Sequence, residues 1–175
     1  MKRVLMVLML TCGLARLVMA GAATQIKKPD NPLAMFVGKW VVVESMMGRE
    51  SVGSGVATAT WGPAKNSVII EYTSIDGPMK GFNLTEIISR EKPIGKYSLV
   101  WVDSFNKGLG LKVGTLSKGG VFQFQNSGLE GEVRSLSYTL ISGGEEGFTI
   151  STYKEKPNEV SVPTMKLVFH RQSED

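Results

Sequence analysis

The chain has 175 residues, a single cysteine and a formal net charge of +4. That length suits one domain and a short targeting segment, not two full cores. A lone cysteine, Cys12, excludes an internal disulfide, and together with a single histidine it excludes a Cys/His zinc site.

The first 22 residues read as a secretion signal: Lys2 and Arg3, then the apolar run Val4 to Leu14, then the small residues Ala20-Gly21-Ala22-Ala23. Cleavage is expected after Ala20 or Ala22. A membrane anchor needs roughly 20 predominantly apolar residues, and Arg16 interrupts a shorter run, so no stable span is expected once the signal is removed. Lipid attachment at Cys12 is disfavoured because Thr11 stands where a small residue would precede the modified cysteine. Taking Lys2, Arg3 and Arg16 from the 20 basic residues leaves 17 against 16 acidic, and so balanced a domain has no electrostatic footprint for nucleic acid. An exported, thiol-free chain long enough to fold unaided suits a bacterial periplasm or the extracellular space.

Residues 23–30 form a polar lead-in, and the domain proper runs from 31 to 175. Asn31 can cap a helical turn, Pro32 suits its first position, and Leu33 to Phe36 complete it. From Gly38 onward, apolar or alternating runs end at Gly, Pro, Asn or Asp clusters. This punctuation predicts ten strands: Gly38 to Ser45, Val52 to Trp61, Ser67 to Ser74, Lys80 to Ser89, Lys96 to Asp103, Gly110 to Leu116, Gly120 to Ser127, Glu132 to Ile141, Gly147 to Tyr153 and Thr164 to Arg171. The connections are too short for parallel crossovers, so successive strands should pair antiparallel. A meander with one apolar face exposes its edges unless it closes. The expected fold is all-β, a single antiparallel up-and-down barrel with its apolar face inside.

Period-2 alternation assigns that face. Val68, Ile70 and Tyr72 share one side of their strand, as do Phe82, Leu84 and Ile88, Phe122 and Phe124, Leu136, Tyr138 and Leu140, and Met165, Leu167 and Phe169. Tyr97, Leu99, Trp101 and Asp103 point inward or toward a rim. Glu44, Glu86 and Arg134 fall in register with apolar neighbours, and a charge in a dry interior is costly unless paired. Three readings follow: an internal ion pair with Arg134, a wet cavity anchoring a ligand head group, or a bulge that shifts the register.

Phe36-Val37-Gly38-Lys39-Trp40 resembles the Gly-x-Trp signature of lipocalin-like (calycin) barrels. The resemblance implies that Gly38 and Trp40 close one end of the barrel and that a basic residue of the last strand lies across the indole, and Arg171 holds that place. With the Asn31 to Phe36 turn, Gly95-Lys96-Tyr97, Trp101-Val102-Asp103-Ser104 and Arg134, nearly the whole exported chain is similar to a bacterial family of such barrels, domain of unknown function 1579. That family implies a fold and no activity. Met46 to Ser51 is too short for the helical lid of fatty-acid-binding proteins, and the Thr-Asp-Tyr element of secreted animal lipocalins is missing.

The favoured function is uptake of a small apolar or amphipathic molecule, lined by Tyr72, Phe82, Trp101, Phe122, Phe124 and Tyr138, with Glu86, Asp103 and Arg134 as polar contacts. Beyond eight strands a barrel interior is wide enough for a ligand. Asp103 and Ser104 have a plainer role, satisfying turn amides before Asn106-Lys107-Gly108. The alternatives are an envelope interaction module, betrayed by apolar exposure at Val41, Val43 or Ile87; a heme barrel; and an enzyme using Glu86 or Asp103 as base. His170 could be an axial ligand but shares parity with Lys166 and Val168, facing out. No catalytic triad, metal set or cofactor is expected, and no pattern fixes an oligomeric state.

Overall fold

The computed structural model describes residues 31–91, 95–105, 108–126, 137–144, 146–154, 157–158 and 160–173. The expected signal and lead-in, with Arg134, Leu136 and the expected start of the eighth strand at Glu132, lie outside the described residues. Ten strands follow a short 3-10 turn, Pro32–Phe36. They are β1 (Gly38–Met46), β2 (Arg49–Trp61), β3 (Ser67–Asp76), β4 (Asn83–Glu91), β5 (Lys96–Asp103), β6 (Leu109–Leu116), β7 (Phe122–Asn126), β8 (Tyr138–Gly144), β9 (Gly147–Tyr153) and β10 (Met165–Arg171). Each pairs antiparallel with its chain neighbours, and β10 returns to β1 through Trp40 opposite Arg171 and Glu44 opposite Leu167, closing the barrel. Closure leaves no unpaired edge for another chain to extend.

The β1–β2 connection is tighter than its sequence suggests. Met47 and Gly48 take φ of 49° and 76°, the two positive values of a two-residue hairpin turn whose twist matches its strands. Met46 therefore pairs with Arg49, and β2 starts there instead of at Val52. β4 starts later than expected, at Asn83, because residues 77–82 fold into a compact loop. Within it the Gly81 N–H donates to Ser74 O at 2.9 Å and the Phe82 N–H to Met79 O at 2.8 Å, burying Met79 and Phe82.

One end of the barrel is plugged. Asn31 Oδ1 accepts the Leu33 N–H at 3.1 Å and so caps the 3-10 turn, while its amide donates to Lys65 O at 2.9 Å and ties the turn to the β2–β3 connection. Leu33 and Phe36 are fully buried. The Trp40 indole donates to Phe36 O at 2.8 Å, and its ring meets Phe148 edge-on at 4.9 Å. Phe148 stacks on Phe169 at 4.1 Å, and Phe36 reaches Phe122 at 5.6 Å. The Arg171 guanidinium lies 4.4 Å above the Trp40 ring and donates to Val37 O at 3.2 Å. Gly38 allows this approach, since a Cβ there would sit 2.6 Å from Arg171 Nη1 at a φ of +146°.

The inward sets of β3, β4, β5, β7 and β10 follow the alternation of the sequence. β8 does not. Thr139 and Ile141 are the buried pair, with Phe124 opposite Thr139 and Phe122 opposite Ile141, so Tyr138 and Leu140 face outward. Both parities of this strand carry apolar residues, so alternation alone could not choose between them. On β6 the inward positions are Gly110, Lys112 and Gly114. Among the described residues, no helix is long and apolar enough to cross a membrane.

Candidate functional site at the end opposite the plug

Antiparallel register places the end of β1, β3, β5, β7 and β9 beside the start of β2, β4, β6, β8 and β10. Glu44, Tyr72, Glu86, Trp101, Lys112, Thr139 and Thr152 thereby gather inside the half of the barrel away from Trp40. Every charged side chain buried among the described residues, Glu44, Glu86 and Lys112, belongs to this half.

Glu44 is 0 % exposed and accepts a hydrogen bond from the Tyr72 hydroxyl. Its Oε2 is buried with no partner. Two glycines of β2 make room for the pair: a Cβ at Gly53 would lie 2.4 Å from Glu44 Oε2, and one at Gly55 2.4 Å from Tyr72 Cε2. Burial, with the neighbouring Glu44 carboxylate, pushes the Tyr72 hydroxyl well above its ordinary range, so it remains a neutral donor.

Glu86 is 7 % exposed, and its Oε2 is likewise buried and unpartnered. Desolvation pushes its carboxyl up to about 7 against the pull of Lys112. Lys112, 3 % exposed, is pushed down to about 8 by the same loss of water, with Glu86 pulling the other way. The two attract without closing into an ion pair. The Lys112 ammonium instead donates to Thr139 Oγ1 at 2.7 Å, which lies 3.4 Å from Thr152 Oγ1, and rests 5.0 Å from the Trp101 ring centroid. Trp101 stands over Gly110, where a Cβ would come within 2.0 Å of the indole. An ammonium has three N–H donors, and the bond to Thr139 uses one.

The residues expected to line a ligand site divide between the two halves. Tyr72, Glu86 and Trp101 meet in the polar half. Phe82 closes over it from the β3–β4 loop and packs against Phe105 at 4.8 Å. Phe122 belongs to the plug, and Phe124 stacks on it at 6.2 Å. Asp103 accepts the Phe105 N–H at 2.9 Å and Ser104 Oγ the Asn83 N–H at 3.0 Å, which is the turn-building role. Tyr138 is removed from the interior set. It lines an open groove of about 620 Å³ on the outer wall with Gln123, Gln125, Leu140 and Tyr153. The role of Arg134 lies outside the described residues. His170 is exposed on the outer face, opposite Val41 and Gly147, so it presents no axial ligand to the interior.

Lys112 is the residue that sequence reasoning missed. Its signal was the flanking Gly110 and Gly114: a strand with two glycines at alternate positions leaves its wall thin there, and whatever stands between them enters the same space. Among the described residues, no cluster of His, Cys, Asp and Glu could hold a metal ion. No protein-family model matches the chain, and no curated protein matches it either.

Proposed function

We propose that this is an exported, lipocalin-like barrel that takes a small amphipathic molecule into the half opposite its tryptophan plug. The observation that carries this reading is the pair of buried, unpartnered carboxylate oxygens, Glu44 Oε2 and Glu86 Oε2. Buried polar atoms in folded proteins almost always have a hydrogen-bond partner, and a desolvated carboxylate without one is costly. A bound molecule that donates to them removes that cost. Trp101, Phe82 and Met165 supply apolar surface beside the polar groups. The rim at the same end also exposes apolar side chains, Phe105 at 66 % and Val160 at 87 %, with Met47, Leu109 and Val162. Such a rim favours entry of a molecule with an apolar body.

An interaction module would need a contiguous apolar patch on the wall. On the described wall Val41 lies opposite Val56, both exposed, Val43 is half-buried, and half-buried Ile87 stands in an outward row with Ile69, Val100 and Leu111. This second reading thus keeps an observation in its favour, and a pull-down from an envelope extract with nothing above background would count against it. Native mass spectrometry of protein purified from its own host tests the proposal. A retained molecule of discrete mass is expected, lost when Glu86 and Lys112 are both replaced by Met. Protein of bare polypeptide mass that also takes up no amphipathic probe overturns it.

A further inference from the structure

Glu86 and Lys112 flank the same strand from opposite sides. Glu86 of β4 is registered with Trp101 of β5, and Lys112 of β6 with Leu99 of β5. Their backbones are thus two strand spacings apart across the sheet and two residues apart along it, about 12 Å. Lys112 overlies the Trp101 indole at 5.0 Å, and Glu86 is the cross-strand neighbour of Trp101 on its other side, its side chain buried inside the same half. Between them is a carboxylate with a buried oxygen that accepts nothing and an ammonium with N–H donors beyond the one given to Thr139. Of the other acidic groups in this half, Glu44 accepts from the Tyr72 hydroxyl through one oxygen and keeps its Oε2 unpartnered, but has no ammonium recorded beside it, and Asp103 accepts the Phe105 amide at the rim.

We infer that Glu86 and Lys112 form a single head-group site over Trp101, and that it selects a neutral head able both to donate and to accept a hydrogen bond, a hydroxyl or primary amide on an apolar body. This rests on the ligand-binding reading above and narrows it to a chemical class. The selection follows from charge. A carboxylate head gains from Lys112 but faces the Glu86 carboxylate in a medium of low dielectric, and an ammonium head gains from Glu86 but faces Lys112. A hydroxyl or amide donates to Glu86 Oε2, accepts from Lys112 Nζ and opposes neither. Both bonds are charge-assisted, and the head adds no net charge to a balanced pair. The indole below suits the first carbons of the apolar body, as aromatic walls do in ligand pockets.

A set of probes with one tail and four heads tests this: decanol, decanamide, decanoate and decylamine, titrated calorimetrically into the signal-free chain at about pH 7.5. Decanol and decanamide should bind at least tenfold more tightly than the two charged probes. In Glu86→Met the ranking should move toward decanoate, and in Lys112→Met toward decylamine, a reversal that a purely structural role for either residue would not produce. Decanoate or decylamine binding as tightly as decanol to the unaltered protein overturns the inference. So does an unchanged ranking in both variants. Equal binding of all four probes leaves the ligand-binding reading standing and the head-group site overturned, whereas no binding by any probe removes both. If either methionine variant fails to fold, the ranking in the unaltered protein decides.

Discussion

At the Trp40 end, the polar atoms that point into the plug have partners: the indole N–H has Phe36 O at 2.8 Å and the Arg171 guanidinium has Val37 O at 3.2 Å. At the Glu44 end, the same strands and the same pleat leave two carboxylate oxygens buried without any. The first end is built as a protein core is built, from interlocked aromatic rings with their few donors satisfied. The second keeps Glu44, Glu86 and Lys112 out of water at a cost in free energy that folding alone does not recover. Aromatic packing thus dominates one end of this barrel, and the other end carries the polar groups on which the proposed binding rests.

The largest effect that would test this division is loss of the plug. Trp40→Ala removes a ring that is 1 % exposed and leaves Phe148 without its edge-on partner, so unfolding in urea should lose about 3 to 5 kcal/mol. An equal loss from truncating Trp101 would break the comparison.

At the other end the expected effect has the opposite sign. Glu86 keeps its proton in the folded chain up to about 7, against an ordinary value of 4.5, so stability falls as pH rises between those values. Lys112 gives up its proton at about 8 when folded but at 10.5 when unfolded, so stability rises again across that range. Each arm corresponds to about 3 kcal/mol at 1.36 kcal/mol per pH unit, with the minimum between pH 7 and 8. Urea midpoints at pH 5, 7.5 and 10 check this. In Glu86→Met with Lys112→Met the trough should flatten, and stability near pH 7.5 should rise by about 1 to 4 kcal/mol, the range seen when buried opposite charges are replaced by apolar side chains. A double variant less stable than the parent at pH 7.5 would mean that the pair supports the fold.

How much of this was legible in the sequence differs in the same way between the two ends. The plug could be read because Asn31-Pro32, Gly38 and Trp40 are residue types with few alternative uses, and Arg171 shares parity with Leu167 and Phe169. The number of strands could be read from the turns, since Gly, Pro and Asn clusters recur between the alternating runs. The polar half was read in part. Glu44 and Glu86 stand out as charges on apolar faces, but Lys112 does not, because its own face carries only Gly110 and Gly114 beside it and Leu111 and Val113 make the opposite face of β6 the apolar one. Tyr138 was placed inside for the converse reason: Tyr138 and Leu140 outweigh Thr139 and Ile141 in bulk, while register with β7 puts the smaller pair in the core. Alternation reports which residues share a face. Which face turns inward on a strand apolar on both sides is settled by its neighbours.

Gly110 offers a smaller and more local test. Its missing side chain is what lets the Trp101 indole lie flat against β6, since a Cβ would come within 2.0 Å of the ring. Gly110→Ala should destabilise the protein by about 1 to 3 kcal/mol, the usual cost of overpacking. Because the ring must shift from beneath Lys112, its tryptophan fluorescence should change as well. Trp61 and Trp40 lie elsewhere in the barrel, so a Trp101→Phe background identifies the signal. An unchanged spectrum with full stability would mean that the floor of the polar half is not rigid.

The smallest effect tests whether the two ends are independent. In Arg171→Lys the cation over Trp40 is retained, but a compact ammonium cannot lie flat on the indole while also reaching Val37 O, as the planar guanidinium does. Arg171 is exposed, and cation–π attraction at exposed sites is worth about 0.5 to 1 kcal/mol, so the loss in urea should be no larger than that. Ligand affinity should be unaltered, because Arg171 and Glu86 lie at opposite ends of the barrel and additivity holds for residues with no shared partners. A change in affinity greater than twofold in Arg171→Lys, without a matching loss of stability, would show that the plug sets the shape of the binding half. Stability and binding would then no longer be assigned to separate ends.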